Sequence, residues 1–171
     1  MTEFIQTTIA FVQNHRDWAA PIVFLLAFCE SFAFVSLIVP ATAILLALGG
    51  LIGAAGLDFW PLWTAATLGA IAGDWLAYDL AFRFKDRVLA VWPFARRPEL
   101  VARGAVLFQR WGLIAVFVGR FFGPLRAVLP IVAGLHAMPW RTFQLANIAS
   151  AVVWATGVLT PGFLGARWLL G

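Results

Sequence analysis

The sequence predicts an all-α polytopic membrane protein, and three observations lead there. Hydrophobic residues make up 63% of the 171-residue chain and charged residues only 12%, against about half and about a quarter in an ordinary soluble domain. Apolar stretches long enough to cross a bilayer recur, and the mean hydropathy is +0.91. The charges that do occur are bunched: residues 83–110 hold Arg83, Lys85, Arg87, Arg96, Arg97, Arg103 and Arg110 against Asp86 and Glu99. The bilayer is the natural solvent for such a chain. Its length allows roughly four to six segments at about 20 residues per crossing, within one membrane domain, 1–171.

Met1 to Thr8 carries Glu3 and no basic residue, whereas a cleavable signal peptide needs a positive start; none is expected. Cys29 is the single cysteine, so an intrachain disulfide is excluded. Residues 1–17 are mixed, and Phe4, Ile5, Ile9, Phe11 and Val12 can form one face of a short interfacial helix. From 18 to 57 only Glu30 is charged. That run is too long for one crossing, and Pro40, Gly49, Gly50, Gly53 and Gly56 predict that it is broken. It reads either as two crossings with a tight turn or as a helix followed by a re-entrant hairpin, which needs cover from protein or a wet cavity.

Asp58 and Pro61 mark a boundary. Residues 59–82 then read as a crossing helix, with Trp60 and Trp63 at its interfacial end. Gly69 and Gly73 form a small-xxx-small face that lets another helix approach closely. The basic segment 83–110 is placed on the cytoplasmic side, because Lys and Arg stay there, and anionic headgroups are its natural contact. Residues 111–140 are apolar again but carry Arg120, Arg126 and His136 and are interrupted at Gly123-Pro124, Pro130 and Gly134. They read as a second re-entrant hairpin. Residues 142–160 form a last crossing with Arg141 at its cytoplasmic end; Pro161-Gly162 end or kink it, leaving 161–171 as a short or truncated C-terminal segment. Glu30 stands ten residues before Pro40, and Arg120 ten before Pro130. This matched spacing is of the kind left by a pseudo-inverted repeat of broken helices.

The residues expected to carry chemistry are the ionisable ones inside apolar segments. A charge at the bilayer centre costs about 2.5–3.5 kcal/mol on insertion scales. Glu30 can escape that cost by taking up a proton. Asp74 lies well inside its crossing, and Tyr78, four residues on, shares its face. Asp79 is read as a surface partner of Arg83. Arg120 and Arg126 cannot shed their protons and flank a Gly-Pro break, so they need buried anions or water. Guanidinium groups match phosphate oxygens two at a time, and free N–H groups at a broken helix favour the same anion. The plainer reading is that the arginines neutralise Glu30 and Asp74; both readings can hold at different stages of a cycle. Asn147 is a candidate for hydrogen bonding between helices, while His136 and His15 read as structural and solvated. Neither histidine sits in a metal or acid–base cluster, so no metal or cofactor is expected.

Several of these residues fall in an order that resembles the DedA family, also described as the SNARE-associated Golgi or VTT-domain family. The matching pieces are Gly69 to Asp74 followed by Tyr78; Phe108 with Gly112; Gly119-Arg120-Phe121 through Pro124 to Arg126; Ala133-Gly134 with Met138; and Phe143, Asn147 and Trp154, with Glu30 ahead of Val39-Pro40. The resemblance covers about residues 22 to 160. It implies a polytopic protein of the bacterial inner membrane with two opposed re-entrant hairpins. It also implies translocation of undecaprenyl phosphate or glycerophospholipids, with proton coupling through membrane acids. Residue by residue it implies that Glu30 is the membrane glutamate, Asp74 the acid of the Gly-Asp pair, and Arg120 and Arg126 the paired arginines. The chain departs from the family pattern at Thr42, where an acid usually follows the first break; any proton coupling is then left to Glu30 and Asp74.

The leading expectation is a membrane transporter of phosphate-bearing lipids, Arg120 and Arg126 holding the phosphate while Glu30 and Asp74 pair with them or bind protons. Its partners would be membrane lipids and protons, not nucleic acid, since the basic cluster is flanked by membrane spans. A membrane enzyme acting on lipid phosphates is the first alternative. The sequence shows neither a serine nucleophile beside a base nor a glycine-rich phosphate loop followed by lysine, so no enzymatic activity is expected. The second alternative is a structural or assembly protein whose buried charges serve folding alone.

Overall fold

A computed structural model describes residues 16–32, 45, 49, 50, 53, 56–90, 94–96, 98–122 and 125–170. The breaks expected at Pro40, Gly123 and Pro124, the family departure at Thr42 and all but the end of the 1–17 segment lie outside these residues. Every regular element among the described residues is helical: α1 (Arg16–Ser31), α2 (Phe59–Phe84), α3 (Asp86–Leu89), a 3-10 turn (Phe94–Arg96), α4 (Pro98–Trp111), α5 (Leu113–Gly119), α6 (Leu125–Leu135) and α7 (Trp140–Leu170).

α2 is the axis of the fold: α1, α6 and α7 all pack on it. The two glycines singled out in the sequence explain how α1 gets so close. A Cβ on Gly69 would stand 2.3 Å from the Phe24 carbonyl oxygen, and one on Gly73 would stand 2.7 Å from that of Phe28. This pairing also sets direction. Later residues of α1 meet later residues of α2, so the two helices run parallel. Phe32, where the described part of α1 ends, is level with Gly73. By Leu57 the chain has returned to where α1 began, because Asp17, Leu57, Asp58 and Leu62 line one cavity.

The second half reverses from the other end. α5 leads from Gly112 to Arg120, the chain turns, and α6 leads back. Gly134 lies against α2, its missing Cβ 2.4 Å from the Tyr78 carbonyl oxygen. α7 then runs antiparallel to α2. The Tyr78 and Phe143 rings stack with centroids 4.3 Å apart, Trp63 donates to Thr156 at 3.0 Å, and Phe59 meets Phe163 at 5.1 Å. Among the described residues one helix, Trp140–Gly165 within α7, is by itself long and apolar enough to cross a membrane.

Two sequence expectations need correction. Pro130 does not break a helix; it lies inside α6. An interior proline costs about 3 kcal/mol in an isolated helix, but Val128, Leu129, Ile131 and Val132 around it are completely buried, and in a membrane protein the neighbouring helices packed around such a proline hold the helix together. Gly134 likewise serves close approach rather than interruption. Pro161 does not end the last crossing either, for α7 continues to Leu170. The residue four back, whose carbonyl the ring must avoid, is Gly157, and a glycine there eases the local tilt of the backbone. The basic 83–110 segment holds α3, the 3-10 turn and α4. α4 turns Leu100, Val101, Ala105 and Phe108 toward α6 and leaves Arg103 and Arg110 exposed, and Asp79 pairs with Arg83 at 2.7 Å as its spacing predicts.

Candidate functional site: a buried cluster of four charges

Asp74 sits about 22 Å from the start of α2 and about 15 Å from its end at 1.5 Å per residue, and it is buried. Arg120, at the foot of the α5–α6 reversal, donates through Nη2 to Asp74 Oδ2 and to Asn147 Oδ1 at 2.8 Å. Asn147, fully buried on α7, also donates through Nδ2 to the Ile71 carbonyl at 3.0 Å and to Gln144 Oε1 at 3.1 Å. One amide thus ties α7 to α2 and to the reversal.

Arg126, in the first turn of α6, makes the second pair. Its Nη1 donates to Glu30 Oε1 at 2.7 Å and its Nη2 to Ser31 Oγ at 3.3 Å. Its guanidinium carbon lies 5.1 Å from the centre of the Trp154 ring, a cation–π distance. Arg126 is also within electrostatic reach of Asp74 and Arg120, so the two pairs form one cluster of two acids and two bases. The end of α1 and the α5–α6 reversal therefore meet at the depth of Asp74.

Burial is nearly complete: side-chain exposure is 2% for Arg120, 9% for Asp74, 10% for Arg126 and 7% for Glu30. The four charges singled out in the sequence are all brought together. Arg120 Nη1 is buried and has no hydrogen-bond partner among the described residues. A guanidinium N–H left unsatisfied in a low-dielectric interior is costly, and the missing partner is an acceptor.

Tyr78 supports the cluster from a distance. Its hydroxyl donates to the Met138 carbonyl at 2.5 Å, fixing the α6–α7 turn rather than touching a charge. Ser31, Gln144 and the aromatic role of Trp154 were not foreseen. Gln144, Asn147 and Trp154 recur at helical spacing on the face of α7 turned toward α2, a pattern that could have flagged them. A large cavity, about 540 Å³, lies elsewhere, between Leu57–Trp60 and Thr160–Leu164.

The VTT-domain profile matches residues 39–164. Inner membrane protein YabI of Escherichia coli is 35% identical over 90% of this chain and 61% of its own length. Inner membrane protein YghB of the same organism is 30% identical over 83% and 65% respectively. An uncharacterized membrane protein of Buchnera aphidicola from Schizaphis graminum is 31% identical over 84% and 57%. The chain therefore spans about three fifths of the length of these relatives. No solved structure matches it.

Proposed function

Because the chain belongs to the VTT-domain, or DedA, family of membrane proteins, we propose that it moves phosphate-bearing lipids between leaflets, as a transporter and not an enzyme. The observation that carries this reading is Arg120: a permanent cation at mid-depth in α2's frame, with Nη1 buried and lacking an acceptor among the described residues. A phosphate oxygen is the acceptor that guanidinium geometry suits best.

In this reading the α5–α6 reversal is a re-entrant hairpin entering from the basic end. α1 with the chain returning to Leu57 is its opposed counterpart, and together they form a pseudo-inverted repeat. The hairpin tips meet where Glu30, Asp74, Arg120 and Arg126 meet. Protonation of Asp74 or Glu30 loosens its arginine, which then accepts the headgroup phosphate; deprotonation reclaims the arginine and expels the headgroup. The lipid tails stay in the bilayer, so only the polar head needs a lowered barrier. The 83–110 segment faces the cytoplasm of a bacterial inner membrane, and undecaprenyl phosphate or a glycerophospholipid fits the chemistry. One observation favours purely structural charges: each arginine already has a carboxylate partner.

Liposomes holding the full chain separate these readings. Labelled phosphate-bearing lipid is expected to change leaflet with the wild-type protein, and to do so at least about tenfold more slowly with Arg120→Lys, which keeps the charge but loses the two-pronged donor. Equal rates for both proteins, or no movement at all, overturn the transport reading.

A further inference from the structure

Each arginine of the buried cluster has a carboxylate partner and, from α7, an uncharged one. Arg120 is held by Asp74 on α2 and by the Asn147 amide on α7. Arg126 is held by Glu30 on α1, and its guanidinium carbon lies over the Trp154 ring of α7, 5.1 Å from the centre. The acids thus come from α1 and α2, the bases from either side of the α5–α6 reversal, and both neutral partners from one face of α7. Asn147 and Trp154 stand two helical turns apart, about 10 Å at 1.5 Å per residue.

The Trp154 contact differs in kind from the others that Arg126 makes. Glu30 and Ser31 are neighbours at the end of α1, so whatever turns that end away removes both hydrogen bonds together. A ring face attracts the guanidinium through its charge and needs no N–H aimed at an acceptor, so it holds while those N–H groups change partners. Arginine keeps its charge throughout. Glu30 and Asp74 attract Arg126, and Arg120 repels it. With Glu30 neutral or displaced, the two arginines share Asp74, and a partner that is not an acid stabilises the cation left over. The setting favours this use of a ring. Trp154 is 5% exposed and lies in an apolar cluster with Ala27 of α1 and Ala66 and Ala70 of α2, and a cation–ring attraction is strongest where water is excluded.

We propose that Trp154 is a positioning residue: it keeps the Arg126 guanidinium in place while Glu30 is protonated or displaced, leaving the N–H groups to an incoming oxyanion. The hold itself stands on the contact, and its use in lipid movement rests on the transport reading.

The test places tryptophan carrying increasing numbers of ring fluorines at position 154 of the full chain, by codon-specific incorporation. Fluorine drains charge from the ring face while nearly keeping its size and shape, so packing is preserved. Equilibrium unfolding in detergent is read in three backgrounds. With the native pair, the fully fluorinated ring is expected to lower the folding constant about two- to fivefold, stepwise with fluorine number. In Glu30→Gln, which mimics the neutral acid, the loss is expected to reach about tenfold or more, because the ring then carries more of the hold. In Glu30→Gln with Arg126→Gln no cation remains, and the fluorine effect is expected to vanish. This neutral pair keeps the comparison decisive if the single variant does not fold. A fluorine effect of equal size in the native and doubly substituted backgrounds, or none in either, assigns Trp154 to packing alone and overturns the proposal. So does an effect no larger in Glu30→Gln than with the native pair. In liposomes, labelled phosphatidylglycerol is expected to change leaflet about tenfold more slowly with the fully fluorinated ring; an unchanged rate overturns the positioning role. A wild-type chain that moves no lipid sinks the transport reading instead, and the unfolding comparison still decides the hold.

Discussion

Arg126 lies 2.7 Å from Glu30, a residue 96 positions earlier in the chain, and this contact joins the end of α1 to the start of α6. The two groups are about nine-tenths buried. In such a setting the attraction within a pair roughly offsets its desolvation, while removing one partner strands the other.

The first prediction concerns that asymmetry. Arg126→Ala or Glu30→Ala alone is expected to lower unfolding free energy in detergent by about 3–5 kcal/mol. The double substitution is expected to cost clearly less than the sum. Exchanging the charges, Glu30→Arg with Arg126→Glu, is expected to restore most of the stability. The same exchange between Glu30 and Arg120 is not, since Arg120 answers to Asp74 and Asn147. Additive single effects in the cycle would show that the two side chains do not interact.

A second expectation follows from the contact between α1 and α2. Gly73→Ala places a methyl group 2.7 Å from the Phe28 carbonyl oxygen and 2.9 Å from the Phe32 nitrogen. Backbone cannot swing aside as a side chain does, so destabilisation of about 1–3 kcal/mol is expected. Gly157→Ala is the control. Nothing lies within 4 Å of its added methyl, and a helix interior favours Ala over Gly by about 1 kcal/mol. Thermal unfolding of both variants checks the contrast; a similar midpoint shift of the same sign in both would mean the helices are not in contact at Gly73.

The turn after α6 supplies a third. Met138 N donates to the Ala133 carbonyl and Ala137 N to that of Gly134, both at 3.0 Å. This double closure is that of a Schellman cap, whose left-handed residue is usually glycine. Here it is Ala137, with φ at 52°. Ala137→Gly is expected to raise stability by about 1 kcal/mol, read as a higher unfolding midpoint with no loss of lipid binding. A lowered midpoint would contradict the strained backbone.

What could be read from the sequence was whatever depends on local spacing. Gly69 and Gly73, four apart, announced a close helix contact, and that contact exists. Ionisable residues inside apolar runs announced burial: Glu30, Asp74 and Arg120 are buried, and the Arg126 side chain is only 10% exposed. Partner choice was not legible. Nothing local says that Asp74 takes Arg120 while Glu30 takes Arg126, because those choices follow from where the two chain reversals meet. Pro130 and Pro161 misled for a related reason: proline's local cost is fixed, but the packing that outweighs it is tertiary. Asn147 could be read as a link between helices, yet its bond to Arg120 depends on a turn 27 residues away.

That bond carries the last prediction. Asn147 Oδ1 accepts from Arg120 Nη2 while Nδ2 holds Ile71 and Gln144, so the amide fixes the guanidinium without adding charge. Asn147→Leu keeps the volume and removes every bond. It is expected to cost about 1–3 kcal/mol for the polar groups left behind. Asn147→Asp instead gives Arg120 a second carboxylate and turns a neutral cluster into one with a net negative charge. A phosphate must then displace two acids rather than one and enter against an extra like charge. The Asp variant is therefore expected to slow lipid movement in liposomes at least about tenfold, the effect of roughly 1.4 kcal/mol, and more strongly than the Leu variant does. Equal slowing by the two substitutions would show that Asn147 acts through folding alone. Lipid movement at the wild-type rate with Asp at this position would mean that the headgroup phosphate does not visit Arg120.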